Sequence, residues 1–552
     1  MTSFDSFLAT ANALLWHNAV LLVILATGIV FTVWSRFCQF RALTHGVQAI
    51  RGKYDQPGDP GAISHFQALA AALSATVGLG NIGGVAMAIS LGGPGAVFWM
   101  WVVGFFGMAL KTTEVTLAML YRNTDDPENP HGGTMWVISK ALAEKGAGWL
   151  GKAIGGLFCL TLLVMVVTGG NMFQAWNVGN ITENYLGVPA IVSGLVLAVT
   201  VGLVIVGGIH RIGRVAGTLV PFMVGLYFLG AVYVLALHAD DIPAMFALIL
   251  RSAFAPAEAS GAFTGGTMGY AFLYGMKRAI FSNEAGQGTS PIAHSAARTR
   301  EPAREGLVAG LEPFVDTIFV CTLTALVIIV TGTWNRPPEA NLAPDLRPVL
   351  VAPGTWTLPE VPAPGRFRGD WMGGEDVFVI LRGDPNAQSG NDLHRLAGHV
   401  TSGEGGLVLR WDTLASRLEP QLHDRGVYVS YVGATLTAVA FDSVLPGLGS
   451  WVVLLAVWLF AVSTMISYSY YAEQGLVFLG AERFLKGFKV IYCALAVVAT
   501  MGFLKTDAQL DNLSGLGTGL MLFVNIPVMW LLGRRAMTAY RDYVRRLDAG
   551  EM

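Results

Sequence analysis

The chain has 552 residues, of which 53% are hydrophobic and only 13% charged, with a formal net charge of −2 and a mean hydropathy of +0.54. Soluble domains carry roughly one-quarter charged residues, so this composition excludes an ordinary water-soluble enzyme and points to a polytopic, all-α membrane protein. The net charge identifies no partner, because the charges are segregated by loop.

Apolar segments long enough to span a bilayer, about 20 residues each, fall near 14–35, 66–91, 95–121, 153–178, 188–208, 215–237, 264–281, 307–332, 446–471, 488–504 and 514–532. That reading predicts eleven spans. The first, Trp16 to Trp34, has no basic region before it and reads as a retained helix rather than a signal peptide. Lysine and arginine then set the orientation. They crowd the loops around 36–53, 122–152, 211–214, 277–304, 483–489 and 534–546, whereas the short loops of the opposite side hold only Arg251 and Lys505. The expected topology is therefore N-terminus outside and C-terminus cytoplasmic, in the cell (inner) membrane.

The second span contains the densest punctuation. Its centre holds Thr76, Gly78, Gly80, Asn81, Gly83 and Gly84, which weakens any continuous helix and predicts two half-helices with a break between them. In hydrocarbon a break leaves peptide groups unpaired at several kcal/mol each, so it persists where protein, water or a ligand satisfies them. The free N–H groups and positive dipole end of the second half-helix suit a carboxylate. Unwound carbonyls and the Asn81 amide oxygen suit a small hard cation. Glycines also permit close helix approach, but Thr76 and Asn81 flanking them favour binding, since an uncompensated Asn at membrane depth is costly.

Further along, Gln174 lies near the outer end of the fourth span with Asn171, Trp176 and Asn177, where its amide can bond a zwitterion or a neighbouring helix. Five spans after the first break, the stretch from Gly261 to Gly275 again combines glycines with Thr264 and Thr267, and reads as a second interrupted helix. Breaks at corresponding positions of two five-helix halves point to an inverted-repeat carrier. In the ninth span Ser463, Thr464, Ser467 and Tyr471 recur at helical spacings, and their hydroxyls can complete a sodium shell or bond back to carbonyls four residues earlier. Lys111 and Glu114, three apart, form a helical pair that reads as structural rather than as a proton relay. Glu284 with Lys277 or Arg278 reads as part of an inner gate.

The domain reading is an extra helix and inner loop over 1–60, a first repeat and the start of a second over 61–332, an extracytoplasmic insert over 333–430, three further spans over 431–535, and a tail over 536–552. The insert is rich in proline and glycine, and between 333 and 425 has nine arginines, twelve acidic residues and no lysine; long translocated domains escape the charge rule. Val377 to Leu381, Gly406 to Trp411 and Val427 to Tyr431 predict strands and Asp412 to Leu422 a helix, in a small α+β or irregular unit. The cysteines Cys38, Cys159, Cys321 and Cys493 lack zinc or disulfide spacing, and the ten histidines show none for metal. No nucleophile–base arrangement or phosphate loop stands out, so no enzymatic activity is expected.

The motifs Ala72-Leu-Ser-Ala-Thr-Val-Gly-Leu-Gly-Asn-Ile-Gly-Gly-Val-Ala, Gly92-Gly-Pro-Gly-Ala-Val-Phe-Trp-Met-Trp, Phe281-Ser-Asn-Glu-Ala-Gly-Gln-Gly, Pro291-Ile-Ala-His and Tyr470-Tyr-Ala-Glu resemble the alanine or glycine:cation symporter family. Val77-Gly-Leu-Gly-Asn is also similar to the first-helix break of LeuT-type transporters in the amino acid-polyamine-cation superfamily. The resemblance implies ten core helices in two inverted repeats, preceded here by one extra helix, and sodium-driven transport of alanine or glycine. It further implies that Gly78, Leu79 and Gly80 offer backbone amides to the substrate carboxylate. Thr76 and Asn81 would hold sodium with help from Ser463 and Thr464, Gln174 would face the substrate, and Thr267 and Met268 would line its pocket. Sodium is the expected coupling ion, with no organic cofactor; the alternatives are a proton-coupled carrier or exchanger on the same fold, disfavoured because no acidic residue lies inside either break, and a non-transporting membrane sensor that uses the outer insert. The expected partners are a small-molecule amino acid and the lipid bilayer, not nucleic acid; oligomeric state is left open.

Overall fold

A computed structural model describes residues 10–56, 58–385, 391–403, 405–431, 433–502 and 507–552; Lys505 lies outside them. A helix overlaps each of the eleven apolar segments. Among the described residues, six helices are long and apolar enough to cross a membrane: Gly95–Tyr121, Gly148–Leu186, Gly208–Leu237, Pro302–Val330, Gly449–Phe478 and Gly515–Asp548. Counting two bent pairs as single spans raises the number to eight.

The bent pair that organises the centre is His65–Thr76 and Gly80–Gly92, related by 53°. Its first half is an alanine-rich run started by a capping box, in which Ser64 Oγ accepts the Gln67 N–H and Gln67 Oε1 accepts the Ser64 N–H. Val77 then turns extended, with φ −74° and ψ 90°, and ends it. The Gly78 N–H, released from the helix, donates to Asn81 Oδ1 at 2.8 Å. The chain re-enters helix through a π-helical turn over Gly80–Gly84.

The second expected break, over 261–275, is met only in its first part: Gly261, Gly265 and Gly266 lie in a non-helical segment, the first two at positive φ, and Gly269 and Gly275 do not. The helix Met268–Asn283 runs unbroken through Gly269 and Gly275, and Thr267 caps its start by accepting the Tyr270 N–H. Residues 255–267 precede it as turns and isolated bridges, and their carbonyls are taken by the insert: Asn391 Nδ2 donates to Thr264 O and Gly265 O at 3.1 and 3.0 Å. The chain unwinds at the helix's other end as well. Glu284 adopts φ +54°, a left-handed conformation costing roughly 1–2 kcal/mol for a residue with a Cβ, and Ala285–Thr289 form a wholly buried non-helical segment.

The insert is a seven-stranded antiparallel sheet with a three-stranded one beside it. Asp376–Arg382 and Leu393–Gly403 pair over their length, Gly406–Trp411 follows, and Gly426–Val429 flanks the other side. Val377, Val379, Leu381, Val400, Leu409 and Val427 fill its core. The helix expected over Asp412–Leu422 is absent, and strands Leu414–Ala415 and Gln421–Leu422 stand there instead. Leu414, Leu418 and Leu422 have helical spacing, but other segments claim the amides: Asp384 accepts the N–H groups of Arg417 and Leu418, and Gly354 O accepts that of Ser416. The insert rests on the helical body through Arg395, whose guanidinium donates to Ser90 O and Ala262 O at 3.1 and 2.9 Å and stacks on Phe378.

Candidate functional site

At the first break a cavity of about 10 Å³ is enclosed by Ala75, Thr76, Gly78, Gly80, Met165, Gly169, Gln174, Phe281, Thr464 and Tyr468. That is roughly the room one water needs, so the site is closed around its polar atoms. Four elements meet there. Gln174 is aimed by a π-helical turn over Thr168–Met172, which opens the Gly169 carbonyl so that Gln174 Nε2 donates to it at 3.1 Å. Thr464 comes from the middle of the Gly449–Phe478 helix, and Phe281 from the last turn of Met268–Asn283.

The site's donors and acceptors are unequally used. Gln174 Oε1 and Thr464 Oγ1 are buried and, within the protein, unpartnered. Both point at the break: a Cβ added at Gly78 would lie 2.6 Å from Thr464 Oγ1 and 3.8 Å from Gln174 Oε1. Such orphaned oxygens cost free energy unless a ligand completes them, and hydroxyl and amide oxygens suit a hard cation or an ammonium group. Among the described residues, no group of three or more His, Cys, Asp or Glu side chains is arranged for a metal ion.

The other expected site residues are placed differently. The Thr76 hydroxyl bonds back to Ala72 O at 3.3 Å. The Ser463 hydroxyl pairs with that of Ser74 at 2.7 Å, tying the first half-helix to the Gly449–Phe478 helix. Asn81 is buried, but its Oδ1 accepts from Gly78 while its Nδ2 donates to Asp316 O and Oδ1 at 3.1 and 2.5 Å. Leu79 is buried between Gly78 and Gly80. Thr267 and Met268 are not among the described lining residues: Thr267 serves as a helix cap and Met268 is half exposed, which corrects their expected place in the pocket. The physical reason is the unbroken helix, which carries them a full helix length from Phe281.

Two residues at the centre escaped the sequence reading. Asp316, on Pro302–Val330, reaches Asn81 and also accepts from Ser282 and Thr317 at 3.1 and 2.7 Å. Tyr468 joins the cavity to Glu284 by a hydrogen bond from its phenol. The signal for the first was an aspartate inside an apolar segment, which at membrane depth is a functional candidate by default.

Comparison with known proteins bears on this geometry. The model of the sodium:alanine symporter family matches residues 1–345 and 422–552, passing over most of the insert. YrbD of Bacillus subtilis (strain 168) is 32% identical over 549 residues, covering 99% of this chain and 93% of its own. The sodium/alanine symporter AgcS of Methanococcus maripaludis is 42% identical over 339 residues, 61% of this chain and 73% of its own. The sodium/proton-dependent alanine carrier protein of Bacillus sp. (strain PS3) is 30% identical over 502 residues, 91% of each chain. With a glycine-broken apolar helix at its centre and a family match over both flanks of its insert, the chain belongs to the sodium:alanine symporter family, and is a transporter rather than an enzyme.

Proposed function

We propose that the chain carries a small neutral amino acid, alanine or glycine, into the cell together with sodium, by alternating access. The observation that supports this most is the pair of unpartnered buried oxygens, Gln174 Oε1 and Thr464 Oγ1, converging on the unwound backbone at Gly78. In this reading the amides of Gly78, Leu79 and Gly80 take the substrate carboxylate, Gln174 takes its ammonium group, and Thr464 with Thr76, Asn81 and Ser463 takes sodium. Both charges of a zwitterion then have partners, and the cation supplies the drive. One sodium crossing ~100 mV contributes about 2.3 kcal/mol, and a tenfold gradient about 1.4, together roughly 500-fold accumulation. The architecture proposed is a LeuT-type inverted repeat of eleven spans, N-terminus outside, in which one bundle rocks against the other.

Closure of the cavity to about 10 Å³ fits an occluding step between two open states. The test is uptake of labelled alanine and glycine into vesicles bearing the purified chain. Accumulation is expected under an inward sodium gradient, and equal entry with and without that gradient would sink the symport reading.

A further inference from the structure

The amides at the break and the oxygens of Gln174 and Thr464 account for the two charged ends of a zwitterion, which leaves its side chain to the apolar part of the cavity. Two side chains there are long enough to limit it, Met165 and Phe281. They do so differently. Phe281 also lines a neighbouring cavity of about 10 Å³, together with Met87, Asn177, Arg278 and Gly433, and its ring packs edge-on against Phe173 with centroids 5.9 Å apart. It is a partition between two spaces, so shortening it would join them rather than enlarge one. Met165 lines the substrate cavity and not that neighbour. It is 1% exposed and stands one helical turn before Gly169, whose carbonyl Gln174 engages.

The seat of Met165 is tight. The helix Gly515–Asp548 starts Gly515-Leu-Gly-Thr-Gly, and its glycines let it lie against two neighbours at once. A Cβ at Gly515 would lie 2.6 Å from Asn12 Oδ1, and one at Gly519 3.0 Å from Leu15 Cβ. A Cβ at Gly517 would lie 2.8 Å from Met165 Cβ and 3.0 Å from its Cα and N. Non-bonded carbons pack at about 3.5 Å or more, so the backbone of the last helix fills the space beside Met165 and leaves it no room to retreat on that side. Another wall is fixed in the same way, since a Cβ at Gly170 would lie 2.5 Å from Tyr468 Cγ. The free volume, about 10 Å³, is that of one water. Whatever space a larger substrate needs must therefore come from a wall.

We propose that Met165 sets the upper size limit of the transported side chain, and that Gly517, which is not among the residues lining the cavity, positions it. This rests on the symport reading above. Truncating Met165 to alanine removes Cγ, Sδ and Cε, while leucine exceeds alanine by Cγ, Cδ1 and Cδ2. Exchanging one set for the other conserves volume, the change that apolar interiors tolerate best. A single methylene too many in such a pocket costs roughly 10- to 200-fold in selectivity.

The full chain and its variants are reconstituted in vesicles, and initial uptake of labelled alanine under an inward sodium gradient is measured against unlabelled glycine, alanine and leucine. In the wild type, leucine is expected to compete at least tenfold less well than alanine. In Met165→Ala, the half-inhibiting concentration of leucine is expected to fall at least tenfold relative to that of alanine, and labelled leucine to enter with sodium. Gly517→Ala, whose methyl drives Met165 into the cavity, is expected to shift preference about tenfold from alanine toward glycine, and carries the test should Met165→Ala fail to fold. Ratios within one variant do not depend on how much of it folds, so they separate a size limit from a loss of stability. An unchanged leucine-to-alanine ratio in Met165→Ala, or wild-type uptake blocked equally by alanine and leucine, would overturn the size limit. An unchanged glycine-to-alanine ratio in Gly517→Ala would overturn the positioning role. Alanine uptake by the wild type leaves the symport reading standing in each of these cases. No sodium-driven uptake of alanine or glycine by the wild type would overturn the symport reading, and the size limit with it.

Discussion

A methyl group at Gly78 would sit 2.6 Å from Thr464 Oγ1, inside the only room the cavity offers. Overpacking of this kind costs about 1–3 kcal/mol. Gly78→Ala is accordingly expected to raise the half-saturating alanine concentration roughly 5- to 150-fold with normal membrane abundance; unchanged uptake kinetics would show that the substrate does not approach this backbone. Asn81 does different work. Its side chain accepts the Gly78 N–H to close the turn and donates to both the backbone carbonyl and the carboxylate of buried Asp316, so Asn81→Ala leaves the Gly78 N–H without that partner, at about 1–3 kcal/mol. The expected result is a higher sodium requirement, read from the sodium dependence of initial uptake rates, and normal activation in that variant would refute the assignment. Gly78 and Asn81 could be singled out from the chain alone because each breaks the local rule for an apolar helix. Asp316 breaks that rule as well, but its partner lies far away in sequence, and only folding brings the two together. Thr267 and Met268 show the converse, since they stand at the start of an unbroken helix, Thr267 as its extended N-cap, rather than at a break in one.

At the scale of elements, hydrophobic length alone locates the helices, because crossing an apolar layer demands about 20 apolar residues whatever the tertiary contacts. Two features were not legible that way. The buried segment Ala285–Thr289 unwinds through Gly286 and Gly288, both at positive φ, and is held by bonds from Thr289 and Tyr468 to Glu284. Segment 255–267 takes its shape from a sheet more than a hundred residues later. The clamp on that segment is Arg395, whose cation also meets Ser90 O in the last turn of Gly80–Gly92, where the helix dipole is negative. Arg395→Ala removes two charge-assisted bonds worth about 1.5–3 kcal/mol each. A cysteine placed at the buried Thr264 should then react at least tenfold faster with a membrane-impermeant maleimide than it does beneath the intact clamp. Equal rates would mean that the insert is held chiefly by its apolar contacts among Ala262, Phe378, Ile380, Leu393 and Tyr428.

For the whole molecule, the direction of the proposed uptake depends on which face is inside. The proposed topology puts the arginine-rich loops inside and the insert outside. The chain is favourable for a labelling test because Cys38, Cys159 and Cys321 are buried and Cys493 is partly so, which keeps background low. Arg410, in the insert, and Arg545, in the last helix, are well exposed, and the ion pairs they make with Glu360 and Asp542 are of the surface kind worth about 0–1 kcal/mol. Cysteine at either position should therefore leave the fold intact. In intact cells Arg410→Cys is expected to react with an impermeant reagent, and Arg545→Cys to react only after the membrane is opened. The reverse pattern would turn the protein over and put the arginine-rich loops outside.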